Sequence, residues 1–483
     1  MPVIIVVFCC MLLGCFDGCP AWWTAGRRVA KYQNRAYLPR SKPIIGAYLL
    51  TQDGLKQVVR SPAGREGSRC EWPELRCCIQ SEWNLLKNFS RGRLLYSMKR
   101  SELVRPVIMS SGDDHGLPGE SYTSASVFGW ELQKLWRDGW VCVGRATLLP
   151  ETGSQRAIDV GGVGVLLVND SSGRPRAFLN FCRHRGHELV RPGCEVRRST
   201  IWCAYHAWVY RLDGALRNAP RFDIDEADDL GLIPVRCADW GGWLFVNLSG
   251  TAPDLQDTVG NLDEILAPYE TGSLRTTAVR QYDVAANWKL IVENYLECYH
   301  CPSTHPELSR VQRTEGGENF ASTGLWLGGF LDLRNSAVSI SLDGSGAAWD
   351  FPSLDEDRIR QVCYHALLPG LFVTAHHDYL VTHRLEPLDA GRTRVTCEWL
   401  FPPELVSAGT DTSYAVDFWD HTNAQDWAAC ESVQRGVSVP GYVPGPLAPD
   451  ESGLRAFLRL LAEAYGSDMP LRVPTDVDEG ARS

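Results

Sequence analysis

Two short motifs constrain this chain more than anything else in it: Cys182-Arg-His184 and, after 18 intervening residues, Cys203-Ala-Tyr-His206. Each pairs a thiolate donor with an imidazole donor. Two Cys and two His suit a [2Fe–2S] cluster in which the Cys hold one iron and the His hold the other. Replacing two thiolates by neutral imidazoles raises the reduction potential well above that of an all-Cys cluster, so such a centre can accept electrons from a flavin or ferredoxin and pass them on. A structural Cys₂His₂ zinc site is the alternative. Zinc sites of that kind usually pair Cys with Cys and His with His, on a hairpin and a helix, whereas here each half is mixed. Both halves also sit among segments that read as short strands broken by glycine: Val163 to Val168, Ala177 to Phe181 and Gly242 to Leu248. A small all-β domain over 139–250 is therefore expected around the four ligands. His187 and Cys194 lie nearby, but the ligand set is complete without them.

A second set of donors follows in Asn287-Trp-Lys-Leu-Ile-Val-Glu293-Asn-Tyr-Leu-Glu297-Cys-Tyr-His300-Cys-Pro-Ser-Thr-His305-Pro. The spacing predicts a helix from Trp288 to Tyr299 with Glu293, Glu297 and His300 at i, i+4 and i+7 on one face. Pro302 and Pro306 cannot continue its hydrogen bonding, so His305 arrives from a turn. Two His and one carboxylate form the facial triad of non-haem Fe(II) sites, which leaves positions open for O₂. The carboxylate must come from elsewhere. Asp426, in Asn-Ala-Gln-Asp426-Trp on a late helix, is the first candidate and Glu431 the second. Taken alone, two His with four residues between them are a weak signal. A one-electron carrier in the same chain changes the weighing, because it needs an acceptor.

The 483 residues suffice for two or three domains, and 44% hydrophobic with 22% charged residues is ordinary for a soluble globular protein. A net charge of −10 gives no reason to expect nucleic acid or an anionic membrane as partner. That average hides a break. Residues 1–108 hold 17 Lys+Arg against 7 Asp+Glu, and the remainder 31 against 51. All 11 His follow residue 108, while 7 of the 17 Cys precede it. The expectation is that residues 1–108 are a non-native or disordered extension, with Met109 an alternative start. The apolar run Val3 to Leu13 is too short to span a bilayer and lacks a basic flank, so a cytoplasmic protein is expected. Further along, helical spacing covers 120–137 with Ser124 as N-cap, within an N-terminal helical segment at 109–138 that belongs to the catalytic domain. Leu262 to Leu266, 413–435 and 451–465 also read as helices. Residues 362–401 alternate as an antiparallel sheet. The second half, 251–470, is thus α+β with a tail at 471–483.

From about His115 to Tyr465 the chain resembles the alpha subunits of Rieske ring-hydroxylating oxygenases. The resemblance rests on the Cys-x-His and Cys-x-x-His pair, on Asn-Trp-Lys followed by Glu-Asn-Tyr-Leu-Glu-Cys-Tyr-His and His305-Pro, and on the Gln-Asp426-Trp segment. It implies a helix-grip catalytic domain built on an antiparallel sheet. It implies a homotrimer in which the cluster of one subunit feeds the iron of its neighbour. Glu297, three residues before the first iron-ligand His, would bridge the two centres. An NAD(P)H-dependent reductase or ferredoxin would supply electrons, with O₂ and a small molecule as substrates. One departure is informative. Ring-dihydroxylating members usually carry Asp at the bridging position, and Glu in this context resembles the branch that oxidises quaternary ammonium compounds such as glycine betaine, stachydrine or carnitine. That implies hydroxylation or oxidative N-demethylation. Aromatic ring hydroxylation is the second reading, and an electron-transfer or zinc-binding protein without oxygenase activity the third. An aromatic cage would hold a quaternary cation, with Trp326, Phe330 and Trp349 as candidates.

Overall fold

The computed structural model describes residues 115–222 and 228–473, together with two strands, Ala47–Thr51 and Gly54–Val58. Those strands pair antiparallel, Ala47 opposite Val58 and Thr51 opposite Gly54, and belong to a unit of their own spanning Met1–Gly92. The expectations about Val3 to Leu13, the start at Met109 and most of the tail at 471–483 fall outside the described residues, as does the remainder of 1–108.

Within the second unit, Arg93–Ser483, the described residues from 141 to 247 are almost entirely strands and the loops between them. Seven antiparallel strands lie in the order Val141–Arg145, Trp243–Asn247, Pro234–Trp240, Pro175–Leu179, Val163–Asn169, Ser154–Val160, Glu195–Arg197. A smaller sheet joins Leu216–Asn218, Val209–Tyr210 and Ile201–Trp202. The strand Val163–Asn169 shows how this region is held. Its side chains alternate between faces, and both faces are covered. Val165 and Leu167 pack into the core shared with the helices, while Leu166 and Val168 pack into a second core with Cys182, Cys203, Trp208 and Tyr210.

The second half is built on a seven-stranded antiparallel sheet. Its order is Arg275–Val284, Arg392–Phe401, Leu380–Asp389, Leu371–Ala375, Gln361–Leu367, Trp326–Asp332, Glu318–Asn319. The four strands between Gln361 and Phe401 form the meander that alternation foretold. Trp326–Asp332 carries Gly328 and Gly329 at its centre, which blurs its pattern. The glycines are needed there, because a Cβ on Gly328 would fall 1.9 Å from the carbonyl oxygen of Tyr364.

The helices depart from expectation in two places. The segment 120–137 is not one helix but Glu120–Thr123, Ala125–Glu131 and a π-helical turn at Leu132–Arg137. Ser124 breaks it by capping the second piece, its side chain accepting from the Val127 N–H. The helix expected from Trp288 to Tyr299 ends at Tyr295. Beyond it the carboxylate of Glu297 accepts from the backbone N–H of His300 at 3.1 Å, so a side chain rather than the helical ladder satisfies that donor. Glu293 therefore does not share a helical face with Glu297 and His300; it accepts from the Tyr122 hydroxyl at 2.9 Å. The long helix Ser413–Val437 and the helix Ser452–Ser467 lie within a turn of where periodicity placed them.

The Asn-Trp-Lys motif is structural. Asn287 caps its helix by accepting from the Lys289 N–H at 3.0 Å, and its amide donates to the carbonyls of Ala390 (2.7 Å) and Tyr122 (3.2 Å). Trp288 and Lys289 both donate to the buried carboxylate of Glu131, at 2.9 and 2.7 Å. The Tyr465 hydroxyl donates to it as well. Among the described residues no helix is long and apolar enough to cross a membrane.

Candidate metal centres and the cavity between them and solvent

The two Cys-His motifs form matched turns. In the first, the Cys182 N–H donates to the His187 carbonyl at 2.8 Å, and the Gly186 N–H donates back to the Cys182 carbonyl at 2.9 Å. In the second, the Cys203 N–H reaches the Trp208 carbonyl at 2.9 Å, and the Ala207 N–H reaches the Cys203 carbonyl at 3.1 Å. The fourth residue after each Cys has a left-handed backbone, Gly186 at φ 71° and Ala207 at φ 58°. Ala pays a steric penalty there of about 1–2 kcal/mol, which the surrounding loop sustains. The turns bring the imidazoles of His184 and His206 to 4.6 Å between ring centroids. His184 stacks on Trp208 at 5.1 Å, and its Nδ1 is buried with no hydrogen-bond partner. Cys182 and Cys203 are buried, with the Tyr210 hydroxyl 3.1 Å from the Cys182 sulfur. Burial, His184, Arg185 and His187 hold the His206 imidazole below its ordinary pKa, which favours the neutral ring that ligation requires. Two buried thiols and two close imidazoles, one with an orphaned nitrogen, fit a mixed-ligand [2Fe–2S] cluster.

The second centre gathers His300, His305 and Asp426. His305 Nε2 lies 2.9 Å from Asp426 Oδ1 and 3.1 Å from His300 Nε2, and His300 Nε2 lies 3.4 Å from the same carboxylate oxygen. The opposite nitrogens are spoken for. His300 Nδ1–H donates to Glu297 Oε1 at 2.5 Å, and His305 Nδ1–H donates to Gln425 Oε1 at 2.7 Å. In neutral rings so anchored, both Nε2 atoms are lone pairs, and they converge with a carboxylate. Three acceptors aimed at one point call for a cation between them, and the donor set fits Fe(II). The same point favours positive charge: burial opposes charge on His300, but its hydrogen bonds to Asp426 and Glu297 outweigh that and push its pKa up to about 9, so a proton takes the cation's place when no metal is bound. Asp426 is held low by the two imidazoles despite its burial.

The alternative carboxylate, Glu431, does not reach this point. Five residues further along a helix is about 140° round its axis, and Glu431 accepts from the Ala285 N–H at 3.1 Å instead. The turn carrying His300 is closed by a disulfide between Cys298 and Cys301, a pairing not legible from the sequence. Gln425 was also missed, although it stands next to Asp426. It is itself held by His421 (3.1 Å) and Glu307 (3.5 Å).

A cavity of about 650 Å³ opens onto these ligands. Tyr295, Phe330, Tyr364, Phe372, Trp419 and Trp427 are among its walls. Of the three aromatic candidates named from sequence, only Phe330 lines it. Trp326, at the start of the same strand, is fully buried among core side chains, against Phe320 and His365. Trp349 packs on Phe351 at 4.9 Å and does not line it either. Aromatics from five separate elements converge here, and no local spacing could have grouped them.

A mixed Cys/His cluster site and an open two-His, one-carboxylate site in a single chain define oxygenases that bring electrons to a mononuclear iron. Comparison with known proteins agrees. Residues 139–227 match the Rieske [2Fe-2S] domain, and residues 272–467 match the ring hydroxylating alpha subunit (catalytic domain). The chain is 31% identical to the glycine betaine monooxygenase oxygenase subunit of Chromohalobacter salexigens, over 75% of this chain and 88% of that one. It is 34% identical to the carnitine monooxygenase oxygenase subunit of Escherichia coli, over 72% of this chain and 93% of that one. The quaternary ammonium Rieske monooxygenase CntA in complex with L-carnitine shares the fold, with a TM-score of 0.61 at 23% identity, covering 73% of this chain and 96% of that one. Naphthalene 1,2-dioxygenase shares it too, with a TM-score of 0.58 at 20% identity, covering 75% and 94%. The chain belongs to the family of Rieske non-haem iron oxygenases, as an oxygenase alpha subunit. Its cofactors are a Rieske [2Fe–2S] cluster and a mononuclear iron.

Proposed function

We propose that the chain is the terminal oxygenase of a multicomponent system that hydroxylates, or oxidatively N-demethylates, a small quaternary ammonium compound. In this reading Cys182, His184, Cys203 and His206 hold the cluster, and His300, His305 and Asp426 hold the iron. When bound, the iron supplies O₂ activation. One substrate C–H becomes C–OH and the second oxygen atom leaves as water, which consumes two electrons and two protons. An NAD(P)H-dependent reductase, directly or through a ferredoxin, provides the electrons.

The protein's own residues do the rest. Glu297 and Gln425 fix the tautomers of His300 and His305, as carboxylates and amides beside metal-binding His do elsewhere. Glu297 also carries the electron path to the cluster of a neighbouring subunit in a trimer. The observation that carries the substrate reading is the cavity. A quaternary ammonium group has no N–H to donate, so only aromatic faces and negative charge can recognise it. Seven Phe, Tyr and Trp rings and the carboxylates of Glu315, Glu318 and Asp450 line this one. The kinship with enzymes named for glycine betaine and carnitine supports the same reading over aromatic ring hydroxylation.

Asp426→Ala tests the metal assignment. The variant should lose the catalytic iron and all turnover while the visible spectrum of the cluster persists. Full iron retention would refute the assignment. A panel of quaternary ammonium compounds and arenes, supplied with a surrogate reductase, tests the substrate class by product analysis.

A further inference from the structure

His383 stands on the strand Leu380–Asp389, deeply buried, and lines the cavity. Its Nε2 lies 3.0 Å from Asn423 Oδ1. Asn423 is oriented in turn, because its Nδ2 donates to the Cys397 sulfur at 3.6 Å. The amide oxygen therefore faces the imidazole, and Nε2 must carry the hydrogen. Burial pushes the pKa of His383 down to about 4, so the ring holds no second proton near neutrality. Nδ1 is then a bare lone pair. It is buried and, among the described residues, has no hydrogen-bond partner. Buried polar atoms are almost always paired, and an exception in a cavity wall marks a place where a ligand supplies the missing group.

The surroundings narrow what that ligand is. The rings of Tyr295, Phe372, Trp419 and Trp427 stand 6.3–6.4 Å from the imidazole, and all four line the cavity. Among the described residues lining it there is no Lys or Arg, while Glu315, Glu318 and Asp450 are there. A betaine carboxylate would meet no Lys or Arg of the described wall, and it would pass like charges on the cavity's exposed side. A cation that carries a hydroxyl would meet both features.

We propose that the substrate is a quaternary ammonium alcohol of the choline type, and that His383 selects it by accepting a hydrogen bond from the substrate hydroxyl at Nδ1. This rests on the quaternary ammonium reading above and narrows it. Thr422 Oγ1 and Trp427 Nε1 add two more buried, unpartnered polar atoms to the cavity wall, the first able to accept or donate and the second to donate. The inference concerns recognition, and the oxidation itself keeps the balance already written.

The test uses the holoenzyme with a surrogate reductase and compares kcat/KM for choline, ethyltrimethylammonium, glycine betaine and carnitine. Ethyltrimethylammonium is choline with the hydroxyl replaced by hydrogen. A site built to bind a hydroxyl should favour choline over this analogue by about 100-fold or more. It should favour choline over both carboxylate-bearing compounds as well. His383→Leu removes the acceptor, and the ratio of choline to ethyltrimethylammonium should fall to near unity. If that variant does not fold, the ratio for the unaltered enzyme decides. A choline preference below a few-fold, or a preference for either carboxylate-bearing compound, overturns the inference and leaves the quaternary ammonium reading standing. Oxidation of none of the four by protein with both centres loaded overturns that reading as well.

Discussion

At the scale of single residues, the centres are held by side chains that never touch a reacting atom. Gln425 is the clearest case. Its oxygen takes the His305 Nδ1 proton at 2.7 Å, which leaves Nε2 free to face the metal. Gln425→Leu keeps the bulk and removes the acceptor. Iron(II) affinity should fall by about 10–100-fold, as for other partners of metal-binding His, while the cluster spectrum is unchanged; equal affinity would show that the contact is incidental. Glu293 makes a different prediction. Burial pushes its carboxyl up to about 7 from 4.5, against the hydrogen bond from Tyr122 and the charge of Lys289. The folded state then holds a proton that the unfolded chain releases, so this group's contribution to stability falls as pH rises from about 4.5 to about 7. Glu293→Gln removes the titration. Its stability relative to the unaltered protein, read from urea midpoints, should therefore climb across that window and level off above it.

At the scale of elements, the helix that opens at Trp288 owes its place to a buried ion pair. Lys289 and Glu131 are both fully buried and 2.7 Å apart. Removing one partner strands the other charge, so Lys289→Met should cost about 3–5 kcal/mol. Chemical denaturation reads this directly, and a loss under 1 kcal/mol would mean that Glu131 is satisfied by Trp288 and Tyr465 alone. This scale is also where the sequence was most and least legible. The meander from Gln361 to Phe401 and the helix Ser413–Val437 were readable because each repeats one period over many residues. The end of the helix at Tyr295 was not readable, because a side-chain contact between Glu297 and His300 sets it rather than a helix breaker. The seven metal-binding candidates were legible for a related reason. Their chemistry is rare, and six of them sit in short motifs. His383 stands in an ordinary alternating strand, and only tertiary structure puts it beside Asn423, 40 residues away.

At the scale of the whole molecule, the proposed trimer and its proposed electron path yield a test by mixing. Subunits with Cys182→Ser should lack a cluster, and subunits with Asp426→Ala should lack the iron. Each alone should be inactive. Co-expressed as mixed oligomers, they should regain a measurable fraction of turnover, because a good cluster in one subunit can serve a good iron in the next; persistent inactivity of verified mixtures would count against transfer between subunits. The helix Ser413–Val437 has a consequence for descent as well as for turnover. Within nine residues it supplies Trp419, Thr422 and Trp427 to the cavity wall, Asn423 to orient His383, Gln425 to hold His305, and Asp426 to the candidate metal site. A lineage that changes its diet by mutation here cannot alter the taste of the pocket without disturbing the hearth beside it. New specificities should therefore arise first on other elements of the wall, at positions such as Phe330 and Leu331 of the strand Trp326–Asp332, where a side chain can change and leave the candidate metal ligands alone.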